Sequence, residues 1–156
     1  MKYSLLSKEQ FEALHKEFAQ FLATQKIDAT LWKEYKATNN KIVAEELALF
    51  SDMVWDDVLE KVKYLELIIT NEIYLFKVKD NQLQLLIIKS QDKSIDFTTK
   101  AGMLWMQHNL KSEAIELLQA TRNFDTDAKK QELFKWITKG AQITSGELQE
   151  AITTTL

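Results

Sequence analysis

LELIITNEIYLFKVKDNQLQLLIIK, residues 65–89, decides the fold. Residues 65–69, 73–79 and 83–89 within it are rich in branched and aromatic side chains, which suit a pleated, half-buried surface. The breaks between them are Thr70-Asn71 and Asp80-Asn81. The second break leaves two residues between strands, and both residue types tolerate left-handed backbone, so a tight hairpin is expected. Three antiparallel strands follow. In the third, Leu83, Leu85 and Ile87 share one face while Leu86 and Ile88 share the other, so that strand must be covered on both sides over part of its length.

Toward the amino end the period changes from strand-like to helical. Ser7 and Gln10 form a capping-box pair, and Phe11, Leu14, Phe18, Phe21 and Leu22 recur at helical spacing, which predicts a helix over 8–24. Asp28 caps a short second helix carrying Leu31, Trp32 and Tyr35, ended by Thr38-Asn39-Asn40. A third helix is expected over 41–62, with Val43, Leu47, Phe50, Val54, Val58 and Val62 as its buried stripe. Toward the carboxyl end, Thr98 or Thr99 starts a helix bearing Ala101, Leu104, Trp105 and His108. Residues 113–121 read as either strand or helix: Ile115, Leu117, Gln119 and Thr121 alternate like a strand, against a helix-favouring composition, and the alternation tips the reading to strand. Asp125 or Asp127 opens a helix closed by Gly140, and Thr144 with Glu147 forms a second capping-box pair before a terminal helix. The expectation is an α+β single domain over 1–156. It has a helical layer (1–62), a small antiparallel meander of three to four strands with one helix (63–121), and terminal helices (122–156).

Composition removes several chemistries. The chain of 156 residues is 46% hydrophobic and has no cysteine, no proline and three glycines. Without cysteine there is no disulfide, thiolate nucleophile or cysteine-held metal. Three scattered glycines supply no phosphate loop, dinucleotide turn or nucleophile elbow. The net charge is 20 − 23 = −3, and Arg122 is the single arginine. A nucleic-acid binder needs a basic footprint and favours arginine, so nucleic acid is not the expected partner. The amino end meets charge before a secretory segment could form, and no stretch approaches a membrane span, so a cytoplasmic address is expected.

Individual motifs resolve into structural roles. Asn123-x-Asp125-x-Asp127 has the opening of a calcium loop, but Ala128 and Phe134 stand where glycine and glutamate are needed, so the carboxylates read as a helix cap. Glu12-x-x-His15 lacks the second such pair that a di-metal bundle requires. With only His15 and His108 available, a catalytic triad cannot be assigned. Arg122 suits either a bidentate grip on an anion or a surface ion pair with Asp125, and Thr154-Thr155-Leu156 reads as a frayed end. No catalytic residue, metal or cofactor is assigned, and the reading leans away from an enzyme.

The third helix carries the candidate site. Glu45, Glu46, Asp52, Asp56, Asp57 and Glu60 fall in one arc of about 140° on a helical wheel. Ile42, Leu49 and Met53 form a narrow apolar line within that arc. Carboxylates edging an apolar strip suit a basic, amphipathic protein partner, with Trp55 or Trp32 as an aromatic anchor. The candidate partner-binding residues are Glu45, Glu46, Leu49, Asp52, Met53, Asp56 and Glu60. The alternative is that neighbouring helices cover the apolar line and leave the acids as a solvated rim.

Two resemblances complete the reading. From residue 41 onward the order of elements resembles the core of restriction-endonuclease-like nucleases, which implies an acid on the second strand and an acid-x-lysine on the third. Ile87-Ile88-Lys89 puts isoleucine where that carboxylate belongs, so the resemblance implies at most a degenerate relative. Met1-Lys2-Tyr3 through Lys8-Glu9-Gln10, Phe21-Leu22-Ala23-Thr24, Phe50-Ser51-Asp52-Met53-Val54-Trp55 and Lys61-Val62-Lys63-Tyr64-Leu65 resemble a family of small stand-alone Bacteroidota proteins with no assigned function. That resemblance implies a cytosolic bacterial protein and transfers no active-site residues. The leading expectation is a non-catalytic interaction module using the acidic helix. The alternatives are a small-ligand binder or enzyme with its site at the sheet edge, using Lys89, Asp80 or Arg122, and an immunity or antitoxin-like protein masking a basic enzyme.

Overall fold

The computed structural model describes residues 1–156, which divide into two compact units, Met1–Glu60 and Lys61–Leu156. The first unit is helical: α1 (Lys8–Ala13), α2 (His15–Thr24), α3 (Ala29–Thr38) and α4 (Asn40–Lys61). The capping box forms as expected, with Ser7 Oγ accepting from the Gln10 amide and Gln10 Oε1 accepting from the Ser7 amide. One helix over 8–24 is corrected to two. His15 Nδ1 donates to the Glu12 carbonyl at 3.0 Å, and this local bond competes with the helical ladder beside Leu14, which sits at φ −106 and ψ 24. Helix α2 ends with Lys26 at φ 60, while the Ile27 amide reaches Leu22 O and the Lys26 amide reaches Ala23 O. This is a Schellman ending with lysine in the position that glycine usually takes, fastened by the buried pair Leu22 and Ile27.

Phenylalanines fill this unit's core. Phe50 is fully buried, with ring centroids of Phe18, Phe21 and Phe11 at 5.0, 5.5 and 6.0 Å. The expected buried stripe of α4 holds at Phe50 and at Val62, just past the helix end, and not between them. Phe50, Ser51 and Leu59 are its fully buried residues, and Val43, Leu47, Val54 and Val58 are only half-buried. Ser51 is tolerated inside because its hydroxyl donates to Leu47 O at 2.7 Å and accepts from the Leu6 amide at 3.1 Å.

The second unit is built on a five-stranded antiparallel sheet ordered β4-β3-β2-β1-β5. The strands are β1 (Tyr64–Ile68), β2 (Glu72–Lys79), β3 (Gln82–Ser90), β4 (Ile115–Asn123) and β5 (Gln142–Thr144). The helices are α5 (Lys100–Asn109), α6 (Thr126–Thr138) and α7 (Glu147–Thr155). The predicted hairpin joins β2 to β3 with Lys79 opposite Gln82 and Asp80 at φ 54. Of residues 113–121, those from Ile115 onward are strand, and β4 pairs with β3 along its whole length. The expected three to four strands become five. Gln142 and Ile143 after Gly140 pair with β1 opposite Glu66 and Leu65, a short edge that carries almost no periodic signal.

One sheet face carries Ile73, Leu75, Leu86, Ile88 and Ile115 against Phe97, Met106 and Leu110 near α5 and Ile152 of α7. On the other face Trp136 of α6 lies 4.8 Å from Phe76 and 5.5 Å from Tyr74. Helix α6 starts where Asp125 accepts from the Ala128 amide, which confirms the capping role of that carboxylate. It closes by the same Schellman device as α2, with Gly140 at φ 110. The capping box at Thr144 and Glu147 does not form. Thr144 is the last residue of β5, its hydroxyl accepts from the Gly146 amide, and Gly146 itself caps α7 without a side chain.

Candidate functional site

The acidic arc of α4 divides into two parts. Asp52 accepts hydrogen bonds from the backbone amides of Lys2 and Tyr3 at 2.8 and 3.0 Å. Asp56 accepts from the Tyr3 hydroxyl at 2.8 Å and lies 3.7 Å from Lys2 Nζ. With the Leu6 amide on Ser51, these bonds lay residues 2–6 along one side of α4. A carboxylate accepting two successive amides makes charge-assisted bonds, so Asp52 and Asp56 fasten the amino-terminal segment as well as bordering the helix surface. The sequence hid this because nothing in Met1-Lys2-Tyr3 announces its target.

The remaining residues form the accessible part. Leu49 and Met53 are 54% and 48% exposed, and Leu5 is 51% exposed one residue before the Leu6 anchor. Glu45, Asp57 and Glu60 are exposed, and Ile42 is half-buried. Glu46 is half-buried, with Oε2 out of solvent and without a hydrogen-bond partner. The apolar line is therefore open at Leu49 and Met53. Trp32 and Trp55 are both half-buried, and Trp32 stands edge-on to Phe18 at 5.3 Å.

A second feature lies in the sheet unit. A cavity of about 460 Å³ is walled by Glu66 and Ile68 of β1, by Phe97, Thr98 and Thr99, and by Lys100 and Gln142. Burial pushes the Glu66 carboxyl above its ordinary value. On the opposite wall Thr99 Oγ1 caps the Gly102 amide at 3.0 Å, setting the start of α5 at the cavity. Asp96 accepts from the Thr98 hydroxyl and amide, bonds that hold its carboxyl below the usual range. A half-buried acid, a lysine and the start of α5 thus line one cavity, an arrangement suited to small ligands bearing both an amine and an acid. The one sequence signal was an acid set between Leu65 and Leu67 in an otherwise apolar strand.

Lys89, Asp80 and Arg122 are not brought together. Lys89 Nζ is 3.8 Å from Glu72, which also accepts the Tyr74 hydroxyl bond; that bond, with burial, pushes the Tyr74 phenol up to about 12. Asp80 sits at the hairpin tip, where its carbonyl accepts from the buried Lys129 ammonium at 2.8 Å. Arg122 spreads over the Phe124 ring at 4.9 Å rather than pairing with Asp125. His108 Nδ1 bonds the Leu104 carbonyl within its own helix. No three histidine, aspartate or glutamate side chains converge into a cluster. No helix is long and apolar enough to cross a membrane.

These features define an α+β protein in which helices precede and follow, along the chain, the strands of an all-antiparallel five-stranded sheet. The sequence model of the Family of unknown function (DUF6495) matches residues 1–156, and the chain belongs to that family. No curated protein and no solved structure matches it significantly.

Proposed function

We propose that the protein is a non-catalytic intracellular interaction module that docks a basic, amphipathic protein segment on α4. The observation that carries this reading is the exposure of Leu49 and Met53, one helical turn apart in an acidic border. Glu45, Glu46, Asp52, Asp56 and Glu60 supply that border, and its charge selects a basic partner such as the surface of an enzyme held in check. Apolar anchors set among carboxylates give affinity from the anchors and orientation from the charges.

The test compares affinity capture by the wild-type chain, by Leu49→Asp with Met53→Asp, and by Leu104→Asp. Leu104 is 50% exposed on α5 and serves as the control. The α4 pair adds carboxylates at i,i+4 to Glu45 and Asp57 and replaces better helix formers, so it should lose roughly 1–2 kcal/mol of stability, and melting curves of all three chains are recorded alongside. A basic partner captured by wild type and Leu104→Asp, but reduced roughly tenfold or more by the α4 pair, is the expected result. Identical captured sets would sink the proposal.

The Glu66 cavity supports a second reading, a binder of small amino acids or similar zwitterions. Raised by burial, Glu66 holds its proton to a higher pH in the fold than in the unfolded chain, so its contribution to stability is present below the ordinary glutamate value and is lost as pH rises through the raised one. Glu66→Gln should therefore be at least as stable as wild type at pH 7 and lack that pH-dependent loss. If the cavity binds zwitterions, amino acids raise the melting temperature of wild type and not of Glu66→Gln. A screen that shifts neither chain removes this reading.

A further inference from the structure

The two edges of the sheet are unlike each other. β5 is three residues long, whereas β4 presents nine residues, Ile115–Asn123, along the opposite edge. Exposed edge strands are ordinarily blunted by charged side chains, lysine above all, by proline, by a bulge or by brevity. β4 is long, and its only charges, Glu116 and Arg122, are of opposite sign. It contains no lysine or proline, it pairs residue for residue with β3 without a bulge, and every residue from Gln119 to Asn123 is exposed.

Hydrogen-bond parity fixes which groups face outward. The Phe124 amide donates to Asn81 O and the Gln91 amide to Ala114 O, each at 2.8 Å, just beyond the two ends of the β3–β4 register. Bonded and non-bonded pairs alternate along an antiparallel ladder, so residues 116, 118, 120 and 122 direct their peptide groups at β3. Leu117, Gln119 and Thr121 direct theirs away from it, and no backbone partner in the chain takes them.

We infer that β4 pairs antiparallel with β4 of a second copy of this chain, centred on Gln119, to give a continuous ten-stranded sheet. Gln119 is the midpoint of Ile115–Asn123, so this register overlaps both strands fully. It places Gln119 opposite Gln119 and Leu117 opposite Thr121 as bonded pairs, forming about six ladder hydrogen bonds. It also places Glu116 opposite Arg122, twice, as non-bonded pairs, in which side chains approach most closely. Leu118 opposite Ala120 lies between the two ion pairs. Ladder parity allows a two-fold at Gln119 or at either neighbour, but shifting it by one residue in either direction loses the Glu116–Arg122 match and shortens the overlap, so charge and chain overlap select this register among those that parity allows. Only a partner with the same strand run in reverse matches all three, which is why the occupant is a second copy.

Sedimentation and light scattering over a concentration series test this. Wild type should reach twice the 18.2 kDa chain mass. Glu116→Arg alone and Arg122→Glu alone each place like charges opposite one another twice, and should weaken association roughly tenfold or more. Mixing the two single variants restores both pairs in a heterodimer, and the double reversal in one chain restores them in a homodimer. Gln119→Pro removes an outward amide without touching the β3 ladder and should give a folded monomer. Leu49→Asp with Met53→Asp should leave the dimer intact. A wild type that stays monomeric at all concentrations overturns the inference. So does a dimer indifferent to both charge reversals, a mixture that fails to reassociate, or a dimer lost through the α4 pair.

Discussion

Replacing Gly102 with alanine should cost roughly 3 kcal/mol or more, although alanine is the better helix former by about 1 kcal/mol. A Cβ on Gly102 would stand 1.8 Å from the Asp96 carbonyl oxygen and 2.5 Å from its carbon. That obstacle is backbone, and it is held in place. Asp96 O accepts from the Thr99 amide at 3.1 Å and its hydroxyl at 2.7 Å, while the next residue, the fully buried Phe97, donates its amide to Thr70 O at 2.7 Å. Relief requires α5 to lift away from the sheet or Phe97 to leave the core. Steric exclusion therefore exceeds propensity, and the melting temperature should fall by roughly 6–12 °C. The same shift would displace Thr98, Thr99 and Lys100 from the Glu66 cavity. A Gly102→Ala chain that melts at or above the wild-type temperature would show that the 96–102 turn is not fixed as described.

Gly102 also shows where reading the sequence stops. Composition marked glycine as scarce, and helix endings accounted for Gly140, but the need at Gly102 arises from a carbonyl six residues earlier folding back on the helix. Residue spacing does not encode such a contact. What was legible had short range: the Ser7 and Asp28 caps, the Asp80 hairpin, the alternation that made Ile115–Asn123 a strand. What was missed had long range or a disguised local signal. Lys26 adopts φ 60 in a helix ending where glycine would have been recognisable, and β5 is too short to show a period. At the candidate site, the wheel groups Leu49 and Met53 in one line but cannot say whether neighbouring helices cover it; both are about half exposed. It could not show that Asp52 and Asp56 hold Lys2 and Tyr3, because that pairing spans about fifty residues of chain.

Phe50→Ala should be the most damaging single change in the helical unit, at roughly 3–5 kcal/mol. Phe50 is fully buried, and its ring meets those of Phe11, Phe18 and Phe21. Truncation leaves a cavity whose walls are three aromatic rings from two other helices, and rings of that size cannot collapse into it without leaving their own rotamers. Each lost ring pair adds about 0.5–1.5 kcal/mol to the burial term. Phe50→Leu keeps much of the volume and loses the ring geometry, so it should fall between alanine and wild type. The position next to it sharpens the test. Ser51 is equally buried, but its contribution is two hydrogen bonds, and Ser51→Ala should cost about 1–3 kcal/mol by leaving the Leu6 amide without its acceptor. Urea denaturation of the three variants should rank Phe50→Ala as the least stable. If Ser51→Ala proved the more damaging, anchoring of the amino-terminal segment, rather than the phenylalanine cluster, would be what holds α4 in place.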